Sequence, residues 1–120
     1  GDVAIDPHDH HHMLTAIDKD PHDTIHTAPV RLWPVSTHQP DWVWGHGTAG
    51  RFTQNDTDHN LDTFTFCYTY LPRRLIDTCI TAGLPDWTYP AVDSQFCHHA
   101  RTINMPVSIV RDAAPKHLNY

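Results

Sequence analysis

The chain has 120 residues, the size of one domain with one core, and 39 % of them are hydrophobic. Its 8 basic and 14 acidic residues give a formal charge of −6, which excludes the lysine and arginine stripe that nucleic acid requires. No apolar run approaches the ~20 residues of a membrane-spanning helix.

Every acidic residue is aspartate, glutamate is absent, and lysine occurs only at Lys19 and Lys116. Aspartate favours turns and caps, whereas glutamate and lysine favour helix interiors, so this composition predicts few long exposed helices. Twelve histidines are the other departure. Imidazole titrates near ~6.5, so mild acid adds positive charge, and solubility is expected to be poorest near the pI of about 6.0. No signal-like segment opens the chain, and its start at Gly1 points to a processed N-terminus or a fragment.

Residues 1–28 are rich in Asp, His, Thr and Pro and poor in large apolar residues. They predict an extended or irregular arm, with a short strand near residues 13–17. Residues 29–35, PVRLWPV, read as a strand ended by Pro34, and Trp42-Val43-Trp44 leads into the turn Gly45-His46-Gly47. Residues 62–71, DTFTFCYTYL, alternate with period two, placing Phe64, Phe66, Tyr68 and Tyr70 on one face of an expected strand. Residues 73–82 read equally as a helix closed by Gly83 or as a strand. After a turn-rich stretch, residues 102–110 alternate again, with Ile103, Met105, Val107 and Ile109 on one face and Pro106 marking an edge or bulge. Short strands punctuated by ten prolines predict a mainly β fold. It would be a small β-sandwich or barrel over residues 29–120, with irregular loops and at most one short helix.

Several constellations carry candidate chemistry. His8, His10 and His12 alternate, so on an extended strand they would converge on one ion; the bland alternative is a solvated histidine run. His22 and His26 are four apart, but the turn formers around them argue against a shared helix face. Cys97, His99 and Met105 invite a copper reading with His38 or His46 as the remote imidazole, because blue-copper sites join a thiolate, two imidazoles and a thioether. The spacing departs from the cupredoxin pattern, and a buried cysteine with a core methionine is the alternative. Three cysteines without a C-x-x-C pair allow one disulfide and one thiol, or three buried thiols. Ser36, Ser94 and Ser108 lack any nucleophile-elbow context, and the four tryptophans read as core more readily than as a pocket. Asn55-Asp56-Thr57 fits the glycosylation tripeptide.

In order along the chain, Pro29-Val30-Arg31-Leu32-Trp33, Gly50-Arg51, Thr63-Phe64-Thr65-Phe66, Leu71-Pro72, residues 100–104 and Lys116-His117-Leu118 resemble segments of the intradiol ring-cleaving dioxygenases. The resemblance covers about half the chain, with gaps. It implies a β-sandwich and a non-haem ferric site of two tyrosines and two histidines that takes a small aromatic substrate. Tyr89, His98 and His99 would be ligands, with Tyr68 or Tyr70 as the second phenolate. The family's histidine–x–histidine strand is missing here, which favours the iron-free subunit of a pair, with a related catalytic chain as its partner. A cupredoxin-like copper carrier and a small domain with a ligand-binding or structural role are the alternatives. Each is a soluble protein, cytoplasmic or secreted.

Overall fold

Asp6 starts the first helix. The structure is a computed structural model that describes residues 3–33, 43–44, 64, 66, 68–88, 91–113 and 115–118, with backbone pairing alone at 30–33, 43–44 and 116–118. Helix α1 spans Pro7–Lys19, after a two-residue strand β1, Val3–Ala4. The Asp6 carboxylate accepts from the Asp9 N–H at 2.8 Å, and Asp9 reaches back to the Asp6 N–H at 3.3 Å. This reciprocal cap, with Pro7 at the first helical position, satisfies donors that the helix start would leave orphaned. Asp9, Met13, Ala16 and Ile17 form the inward stripe, at the three- and four-residue spacing of a helix face.

That stripe packs on a three-stranded sheet of order β5-β2-β6. Strand β2 (Ile25–Thr27) is its centre, antiparallel to β5 (Thr69–Tyr70) and parallel to β6 (Val107–Ile109). A second sheet, β1-β7-β3-β4, joins β3 (Val30–Trp33), β4 (Val43–Trp44) and β7 (Lys116–Leu118) to β1. The β3–β7 pair is parallel, like β2–β6. Two lengths of chain therefore cross both sheets side by side, one bending at Pro29 and the other at Pro115, both buried. Proline suits these corners because it lacks the ladder N–H that a continuing strand would need.

Helices α2 (Arg73–Thr81) and α3 (Val92–Thr102) pack against each other on the opposite face of the β5-β2-β6 sheet. Ile25, Leu75, Cys79, Phe96, Cys97, Ala100 and Met105 form the core there, while Met13, Ala28, Val110 and Ala113 form the core under α1. Full burial of Ile25 and Leu75 contributes about 1.5–3 kcal/mol each over exposure. Both helices end alike. Gly83 (φ 81°) bonds to the Ile80 carbonyl and Leu84 to that of Cys79; Asn104 (φ 55°) bonds to Arg101 and Met105 to Ala100. These paired bonds are the Schellman closure, and the residue after each carries its side chain into the core.

Helices of 13, 9 and 11 residues alongside strands of two to four residues make the fold mixed α/β. This corrects the mainly β sandwich or barrel with at most one short helix. It also corrects the irregular arm over residues 1–28, which instead supplies α1 and the central strand of one sheet. These helices are short, and a buried stripe stabilises them rather than residue propensity. Of residues 62–71, positions 62, 63, 65 and 67 lie outside the described residues, and the rest depart from expectation. Phe64 packs with α2 and α3, Phe66 is exposed, and only Tyr68 and Tyr70 face α1, so the four rings do not share a face. Residues 102–105 close α3, which leaves Val107–Ile109 as the strand.

Candidate functional site

Where α1 crosses the β2–β6 pair, the described residues enclose a cleft of about 460 Å³. The sheet positions its floor. Ile25 and Val107 are register partners whose side chains enter the α2–α3 core, so the next pair, His26 and Ser108, leaves the sheet toward α1. Thr24 precedes His26 on the same side, and Val110 follows Ser108. From the helix come Thr15, Ala16, Lys19 and the cap residue Asp20; from the turn after β6 come Arg111 and Asp112. The lining thus combines two cations, two carboxylates and three hydroxyls with apolar surface from Ala16, Ile109 and Val110, within the size range of small-molecule sites.

His26 is only 3 % exposed. Its Nε2 lies 2.9 Å from the Asp20 carbonyl, which can only accept, so Nε2 carries a hydrogen and, in the neutral ring, Nδ1 holds the lone pair. Nδ1 is buried and has no hydrogen-bond partner among the described residues. On its other flank His26 pairs with Tyr70, whose hydroxyl donates to the Pro21 carbonyl. Residues 20–21 are therefore strapped over the sheet by two side chains. The Asp20 carboxylate accepts from the Thr24 hydroxyl at 2.6 Å and the Asp23 N–H at 3.2 Å. The Thr24 bond first, then the Asp23 N–H, hold its carboxyl below the ordinary 3.8. At the far rim His12 Nδ1 lies 4.0 Å from the Asp112 carboxylate.

The histidine-rich run does not form the strand that would make His8, His10 and His12 converge. On α1 the rings of His8 and His12, four residues apart, meet edge to face with centroids 4.4 Å apart. His10 turns away, and its Nδ1 is hydrogen-bonded to the Tyr68 hydroxyl at 3.1 Å. Burial and the neighbouring Asp9 charge push the Tyr68 phenol up. Cys97 and Met105 are both buried in the α2–α3 core, with His99 on α3, a helix rather than the loop before a final strand that a cupredoxin site uses. His38, His46 and Tyr89 lie outside the described residues. His98 and His99 are consecutive on α3, whereas Tyr68 and Tyr70 lie on the α1 side of the sheet, so those phenols and imidazoles do not meet. Among the described residues no three His, Cys, Asp or Glu side chains group as a metal site would. Of the tryptophans, Trp87 is 81 % exposed rather than core. Cys79 and Cys97 are free thiols; Cys67 and Asn55 lie outside the described residues.

His26, Ser108, Lys19 and Arg111 were not singled out as a group by the sequence. The only signal was the alternation in Thr24-Ile25-His26 and Val107-Ser108-Ile109, too short to identify two paired strands. No family model, curated protein or solved structure matches the chain. No helix among the described residues is long and apolar enough to cross a membrane.

Proposed function

We propose that this chain binds a compact, hydrogen-bonding small molecule in the cleft between α1 and the β2–β6 pair. The observation that carries the reading is His26: a nearly fully buried imidazole lining an open cleft, with one nitrogen anchored and the other without a partner among the described residues. An unpaired buried polar atom costs about 1–3 kcal/mol, and folds keep such atoms chiefly where a ligand, water or reaction uses them. Lys19 and Arg111 favour an anionic group on the ligand, while Asp20, Asp112 and the hydroxyls of Thr15, Thr24 and Ser108 favour donors. The described residues form a mixed α/β fold rather than the β-sandwich that the ring-cleaving and electron-transfer readings assumed.

The test is a titration of the isotope-labelled chain with free amino acids, short dicarboxylates and phosphate monoesters, followed by amide NMR. Saturable shifts confined to residues 24–26 and 108–112 are expected for at least one class, and Ser108→Phe, which fills the floor, should abolish them. Shifts that are non-saturable, or that map elsewhere, would overturn the assignment.

A further inference from the structure

We infer that Ser108 and His26 form a nucleophile–base pair, so that the cleft transfers the acyl group of a small polar ester to Ser108 and then to water. The inference rests on the ligand-binding reading of the same cleft and adds chemistry to it.

Three observations converge. His26 and Ser108 are register partners on adjacent parallel strands, whose axes lie about 4.8 Å apart, and both side chains leave the same face into the cleft. A carbonyl fixes the imidazole tautomer. With Nε2–H bound to the Asp20 oxygen, the lone pair of the neutral ring sits on Nδ1, the nitrogen without a partner among the described residues. An orienting acceptor on one ring nitrogen and a free lone pair on the other is what a general base beside a hydroxyl requires. Third, the Ser108 hydroxyl has no hydrogen bond among the described residues, although the residue is half-buried, so nothing there competes for its proton. Ser108 and His26 are not hydrogen-bonded in this structure. Rotation about the Ser108 Cα–Cβ bond is the motion assigned to closing that gap, and such contacts commonly tighten only with substrate bound.

The reaction balances without a redox partner. Ser108 Oγ attacks the ester carbonyl carbon as its proton passes to His26 Nδ1. The bond to the leaving alcohol breaks, and that oxygen takes the proton from Nδ1. Water then attacks the acyl-serine, giving a proton to Nδ1; the carboxylic acid departs and Ser108 Oγ recovers the proton. Lys19, which lines the cleft, is assigned the role of favouring the developing oxyanion.

The experiment uses the full chain with a fluorophosphonate probe, peptide mapping and p-nitrophenyl acetate. One probe per chain on Ser108 is expected, with a p-nitrophenol burst equal to the protein concentration. Ser108→Ala should remove both. His26→Gln should slow acylation by about 10²–10⁴-fold, the range of a lost general base. If that variant does not fold, as judged by its amide spectrum, Ser108→Cys provides the second test: its alkylation in the folded chain should outpace that of the same cysteine in denaturant. Ester hydrolysis alone decides little, because exposed imidazoles such as His8, His10 and His11 hydrolyse activated esters unaided. The labelled residue decides. A probe on other residues, or on none, overturns the pair. If solutes still bind the cleft saturably, only the catalytic inference falls; if they do not, the binding reading falls with it.

Discussion

The Cys97 thiol is clamped to the backbone of Phe64: the Phe64 N–H donates to Sγ at 3.2 Å, and the thiol faces the carbonyl of the same residue at 3.4 Å. Burial pushes this thiol from 9.0 up to about 11. In the folded chain Cys97 should therefore resist iodoacetamide at pH 8, and react fully in denaturant, as read by mass spectrometry in a Cys67→Ser background. Because the folded value is raised, the thiol's contribution to stability is whole below the ordinary 9.0 and is lost as pH rises through about 11. Urea midpoints should fall across that alkaline window, and the fall should shrink in Cys97→Ala. That variant leaves the Phe64 N–H without its acceptor, at a cost of about 1–3 kcal/mol at neutral pH. Alkylation of native Cys97 at the rate of a free thiol would contradict the clamp.

The Asp6 cap should be worth about 1 kcal/mol to α1, since Asp6→Ala leaves the Asp9 N–H without its acceptor. Asp6→Asn, which keeps an accepting oxygen, should lose only a few tenths. Urea unfolding followed by far-ultraviolet circular dichroism distinguishes the two. Equal losses would mean that charge, not the hydrogen bond, is what the helix start uses.

Gly83 and Asn104 offer a paired test of backbone strain. A Cβ at Gly83 meets nothing within 4 Å, so Gly83→Ala should cost only the left-handed conformation, about 1 kcal/mol. Asn104 already carries a side chain at φ 55°, and Asn104→Gly should change stability by less than about 0.5 kcal/mol in either direction. A larger loss at Gly83 would point to a clash rather than to φ.

These closures show how far the sequence could be read. Gly83 marked the end of α2 in one of two open readings, and residues 30–33 were legible as a strand from their apolar run and flanking proline. Helices α1 and α3 were hidden. Lacking glutamate, and with four histidines between His8 and His12, α1 has poor propensity, and its stripe of Asp9, Met13, Ala16 and Ile17 includes a buried aspartate that a hydrophobic pattern does not count. Period two misled at residues 62–71 because Phe64 packs with the α2–α3 core whereas Tyr68 and Tyr70 pack under α1. The cleft depends on β2 and β6 meeting through partners 82 positions apart, Ile25 with Val107 for one, a pairing that no local pattern encodes.

At the cleft mouth, Asp20 and Thr24 give a measurable electrostatic signature. The Thr24 hydroxyl is the largest cause that lowers the Asp20 carboxyl, followed by the Asp23 N–H. Carbon-detected NMR titration should place Asp20 below 3.8, and Thr24→Val should return it toward that value. Asp86, lowered by the Thr88 hydroxyl and N–H, should not move in the same variant and serves as the internal control. Because the folded value is depressed, this carboxylate favours folding above 3.8 and ceases to do so as pH falls below it. Movement of both aspartates together would indicate a general loosening rather than the loss of one hydrogen bond.

Neighbouring residues on α2 should differ several-fold in what they contribute. The Arg74 guanidinium lies 3.0 Å from the Asp23 carboxylate and ties α2 to the loop before β2, but both side chains are about half exposed or more. Water and salt screen such a pair, so Arg74→Ala should cost no more than about 1 kcal/mol, and that loss should vanish at 1 M salt. Leu75, one residue on, is fully buried among Ile25, Phe64 and Phe96. Leu75→Ala should cost about 2–5 kcal/mol, through lost transfer energy and the cavity left behind, with little dependence on salt. Urea midpoints of both variants at low and high salt provide the comparison. Equal costs, or a salt-sensitive loss at Leu75, would mean that α2 is held to the sheet by charge rather than by the packing described.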